Sequence, residues 1–130
     1  MSRSHTQVVD RDLARLEGLW EDGLADAYAA YEQAASGFTA QARPKVALAA
    51  ALVEVGVRLQ GLGGRAAAPP MLLMGDLCLA RSSRLLAEAA PRSVQIAFAR
   101  AIEDMSSAAA SGQPAPHARA LLLRAIEVQG

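Results

Sequence analysis

The sequence predicts an all-α protein: one domain spanning residues 1–130, built as a bundle of about five helices. Three observations carry this. Apolar residues recur at three- and four-residue steps, the helical period, and not in the strict alternation of a half-buried strand. Hydrophobic residues make up 52% of the chain, yet aromatics reach only 4%, namely Trp20, Tyr28, Tyr31, Phe38 and Phe98. Much of the remainder is alanine, the best helix former, whereas strands favour aromatic and β-branched side chains. Finally, proline and glycine punctuate the chain at intervals of helical length.

Residues 1–8 are polar and read as a flexible N-terminus. The first helix is expected from about Val9 to Ala35, with Leu13, Leu16, Trp20, Leu24, Ala27 and Tyr31 on one face. Gly18 and Gly23 weaken it without forbidding it, and Ser36-Gly37 supplies a stop. A second helix starts near Pro44, since proline suits the first helical turn. Val46, Leu48, Leu52, Val55 and Leu59 line one side of it and alanines fill much of the rest. A helix so apolar all round is expected at the centre of the bundle. Gly61-Leu62-Gly63-Gly64 ends it in a turn. Pro69-Pro70 opens a third helix rich in leucine and methionine, and Ala90-Pro91 breaks it, because a residue before proline is pushed out of helical geometry. A fourth helix carries Val94, Ile96, Phe98, Ala101, Ile102 and Met105. The segment Ser111-Gly112-Gln113-Pro114-Ala115-Pro116 is a loop, followed by a short last helix from about His117 to Val128.

Charge and composition exclude several classes. Thirteen basic and thirteen acidic residues cancel, and Arg81, Arg84, Arg92 and Arg100 are scattered, so no basic face marks a nucleic-acid binder. The single Cys78 rules out an internal disulfide and a cysteine-rich zinc cage. No apolar run reaches the roughly 18 residues of a membrane span, and Met1–Gln7 lacks the apolar core of a signal peptide. A cytoplasmic setting is the expectation.

Residues able to do chemistry are sparse. Asp22 and Asp26 stand at helical spacing and suit a shared cation, but solvated helix faces carry such pairs routinely. His5 and His117 are far apart, and Cys78 reads as a small packing residue. Gly61-Leu62-Gly63-Gly64-Arg65 has the glycines of a phosphate cradle but lacks the lysine-serine/threonine ending and a preceding strand. Gly75-Asp76 interrupts an apolar helix. The glycine points to close approach of another backbone or of a ligand, a helix crossing being the favoured reading, and the aspartate needs a partner or solvent.

Leu73-Met74-Gly75-Asp76-Leu77, with Leu79, Ala80, Arg81, Leu85, Leu86 and Ala87, resembles the Gly-Asp helix of the trans-polyprenyl diphosphate synthase family. Ala99, Ile102, Glu103 and Met105 continue the pattern, and Arg43-Pro44 is similar to the family's Arg-Pro entry to an earlier core helix. The resemblance spans about Ala42 to Gly112 and implies part of the isoprenoid synthase fold. Catalytic members place an Asp-Asp-x-x-Asp box between those two helices, where its carboxylates hold magnesium on an allylic diphosphate. In this chain Glu54 is the sole carboxylate of that interval, and the sequence stops before a second such box.

The pattern is similar to the truncated, non-catalytic small subunits of two-component synthases. That resemblance implies no catalytic residue, cofactor or metal site in this chain. Its partner would be a catalytic large subunit bearing the aspartate-rich motifs and the Mg2+, and this chain would influence product length. Leu73, Met74, Gly75, Leu77, Cys78, Phe98 and Ile102 are the expected partner-interface or tunnel-wall positions, each with plain core as the competing reading. The alternative is a stand-alone helical interaction or scaffolding protein. Whether the isolated chain pairs with itself is left open by its sequence.

Overall fold

The computed structural model describes residues 23–59, 69–112 and 117–127. Over these the protein is an all-α bundle: α1 (Ala25–Ala34), a 3-10 turn (Ala35–Gly37), α2 (Ala42–Leu59), α3 (Pro69–Ala89), α4 (Arg92–Ala110) and α5 (Ala118–Glu127). The expectations for residues 1–22 and for Gly61–Arg65 lie outside the described residues, as does that for Gln113–Pro116.

One boundary differs from expectation. Gly23, expected inside the first helix, has a φ of 121°, a region that favours glycine and departs from regular α-helix. Among the described residues, regular α-helix begins at Ala25. The second helix begins at Ala42, so Pro44 sits within its first turn, where its missing N–H has no helical partner to lose. Thr39 Oγ1 accepts the Ala42 N–H at 3.2 Å, serving a donor that the helix leaves unsatisfied. At the other breaks the punctuation is obeyed: Pro91 is extended, with ψ of 160°, and Val94 and Gln95 donate to its carbonyl at 3.1 Å to start α4.

The central helix is α2. Every residue from Val46 to Val57 except Leu48 is buried, including Glu54. Alanine dominates because its neighbours approach from several sides and leave no room for larger side chains. The most extensive contact is with α3. A Cβ added at Gly56 would lie 3.1 Å from Cys78 Cβ and 3.2 Å from the Gly75 carbonyl oxygen, so the two glycines mark a place where the backbones approach closely. One turn pair away, Ser82 Oγ donates to the Ala49 carbonyl at 2.9 Å, which satisfies a buried hydroxyl. Larger side chains complete the core: Tyr31, Leu52, Phe98, Met105, Leu122 and Ile126 are all nearly inaccessible. No described helix is long and apolar enough to cross a membrane.

Candidate functional site

Polar groups converge at one place, where α1, α2 and α5 meet. A carboxylate in the middle of an apolar helix has to find donors, since burying an unpaired charge is prohibitive. Glu54 is 5% exposed and finds four. Tyr31 Oη donates to Glu54 Oε1 at 2.8 Å. Arg119 grips both oxygens, Nε to Oε1 at 2.8 Å and Nη2 to Oε2 at 3.0 Å, the two-pronged geometry in which guanidinium binds carboxylate best. Arg58, one turn along α2, adds Nη2 to Oε2 at 3.2 Å. Arg119 also reaches Asp26 Oδ2 at 3.2 Å and lies over the Tyr31 ring, 6.0 Å from its centre.

The protonation states follow. Burial by itself pushes the Glu54 carboxyl up, but hydrogen bonds from Arg119 and Tyr31 and the charges of Arg119 and Arg58 outweigh it and hold it below the ordinary value. Tyr31 is pushed far above an ordinary phenol, first by burial and then by the carboxylate it serves. The hydrogen bond to Glu54 raises Arg119 despite partial desolvation. The cluster is therefore a carboxylate, a neutral phenol and guanidinium ions, locked in charge and in direction. It offers no group poised to exchange a proton near neutral pH, which is what a general acid or base requires. It also fits magnesium badly. Both Glu54 oxygens are taken by donors, and two guanidinium groups crowd the space in which a cation would sit. Among the described residues no three histidine, cysteine, aspartate or glutamate side chains gather as a metal set would. Asp22 is outside the described residues, and Asp26 is paired with Arg119.

The positions expected at an interface separate into three groups. Gly75 and Cys78 are buried against α2 at Gly56, so Gly75 is a helix crossing and Cys78 a packing residue, its thiol pushed up by burial. Phe98 is in the core, with Met74 and Ile102 half-buried at its edge. Leu73 is 64% exposed, and Leu72 beside it is also exposed. Leu77 is half-buried and lines an open hollow of about 410 Å³ with Ala80, Arg81, Arg84, Leu85 and Glu88. Asp76 is exposed.

Sequence reasoning missed Arg119 and the role of Tyr31. The signal available was Glu54 itself. The requirement for a partner, raised for Asp76, applies with more force to a charge flanked by Leu52, Val53, Val55 and Val57. Compared with protein families, curated proteins and solved structures, this chain has no match.

Proposed function

We propose that this chain is a non-catalytic small subunit of a heteromeric polyprenyl diphosphate synthase, supporting a catalytic large subunit and influencing product length. The observation that carries the reading is the state of Glu54. It is the lone carboxylate between Arg43-Pro44 and Gly75-Asp76, the interval in which related catalysts set an aspartate-rich box, and its oxygens are spent on Tyr31, Arg58 and Arg119. Magnesium and the diphosphate chemistry belong to the large subunit in this reading, and the setting is cytoplasmic. Leu72 and Leu73 at the start of α3 and Ile96 on α4 offer exposed apolar surface for docking, a feature that marks interaction sites when it is contiguous.

The test is co-expression with a large subunit that carries two aspartate-rich boxes. Each chain alone and the pair are assayed with isopentenyl and farnesyl diphosphate. The expected result is an inactive small chain, co-purification, and elongation that depends on both. Elongation by this chain alone contradicts the loss of catalysis. A large subunit that makes the same products at the same rate without it, and does not co-purify, leaves the alternative of a stand-alone helical interaction protein.

A further inference from the structure

The α4–α5 pair is joined to the rest of the bundle by very little chain. Helix α3 closes with Ala90 N–H on the Leu86 carbonyl at 2.8 Å, and α4 opens on the Pro91 carbonyl. Between them stand only Ala90 and Pro91. Proline donates no hydrogen bond and keeps its neighbour out of the helical region, so the two helices cannot fuse into one stiff rod. Gln95 Nε2 donates to the Ala90 carbonyl at 3.0 Å, which holds the bend from one side. Beyond the bend, α4 packs chiefly on α5, and α5 is the helix of the pair that makes the broader contact with α1 and α2. The far end of the pair is thus fastened through α5, and its first turn carries Arg119, which makes three hydrogen bonds across the boundary, two to Glu54 and one to Asp26.

We infer that α4 and α5 form a hinged arm that pivots at Ala90–Pro91 and is latched shut by Arg119 on Glu54 and Asp26. The latch is directional. Arg119 has to lie within reach of Asp26 on α1 and Glu54 on α2 together, so it sets where α5 sits as well as that it sits. Opening the arm draws the guanidinium off the Tyr31 ring and uncovers Tyr31 and Glu54. Closing it re-buries the carboxylate with its charge compensated. Apolar packing of Val94, Phe98, Met105, Leu122 and Ile126 holds the arm as well, but elements with short covalent attachment and a concentrated polar fastening open as units in advance of the whole fold. The inference rests on the hinge and the latch alone and does not depend on the function proposed above.

Hydrogen–deuterium exchange on the full chain tests it, with wild type compared against Arg119→Met and Glu54→Gln. Methionine keeps much of the arginine stem. Glutamine keeps the shape of Glu54 and removes the buried charge, so it carries the comparison if Arg119→Met fails to fold. The expected result is that amides of residues 94–109 and 119–127 exchange at least tenfold faster, rising together, while those of 46–57 and 75–86 change less than twofold. A uniform rise through every helix overturns the inference, because the cluster is then a general stabiliser. So does a rise confined to α5, which shows that α4 is not part of the arm, and so does no change at all.

Discussion

Two sides of α2 hold their neighbours by opposite means. Toward α3 the contact is made of small things: Gly56 against Gly75 and Cys78, with Ser82 tucked onto the Ala49 carbonyl. Toward α1 and α5 it is made of charge: Glu54 held by Tyr31, Arg119 and Arg58. The first contact is intolerant of volume and indifferent to pH. The second tolerates volume but not the loss of one partner, since that strands a buried charge. One helix therefore carries a seam that fixes distance and a clamp that fixes direction, and substitutions should tell the two apart.

The largest effect is expected at the seam. Gly56→Val would drive its Cβ against the Gly75 carbonyl oxygen, a backbone atom that cannot turn aside. The cost should be about 3 kcal/mol in urea unfolding, the upper range for overpacking, and should be unchanged between pH 7 and pH 4. Next is the clamp. Arg119→Met should cost roughly 2–3 kcal/mol, somewhat below the figure for a fully buried pair, because Arg119 is partly exposed and Arg58 stays beside Glu54. Tyr31→Phe removes one hydrogen bond to a charged acceptor and should cost about 1–2 kcal/mol.

The clamp also has a pH signature. Because the folded Glu54 carboxyl lies below its unfolded value of about 4.3, its contribution is complete above that value and is lost as pH falls through the lower folded one. Urea midpoints between pH 5 and pH 3 should therefore fall more steeply for wild type than for Glu54→Gln. The smallest effect belongs to neither side: Lys45→Ala breaks a half-exposed pair with Glu88 and should cost under about 0.5 kcal/mol.

Much of the fold was legible because its punctuation is local. Pro91, the Pro69-Pro70 pair and Pro44 act through their own rings, and no tertiary contact is needed to read them. Gly75 was legible as a crossing for the same reason: an interior glycine in a leucine-rich helix has few other uses. Gly23 was not, because periodicity does not say whether a glycine stays helical or takes the positive φ that it has here. Gly56, the other half of the crossing, was hidden among alanines and valines that look equally small. The clamp was half legible. Glu54 announces a missing partner, but nothing local singles out Arg119, 65 residues away, from the other arginines. Pairing across that separation is a property of topology, which periodicity does not encode.

Glu54 is a structural carboxylate spent on Arg119. A double-mutant cycle in urea, with Glu54→Leu, Arg119→Met and both together, measures this directly. The expected result is that the double variant is more stable than Arg119→Met alone, with a coupling above about 1 kcal/mol, since an apolar pair can replace an ion pair whose single loss is costly. Costs that simply add, to within about 0.5 kcal/mol, would contradict it, and Glu54 would then be free for another role.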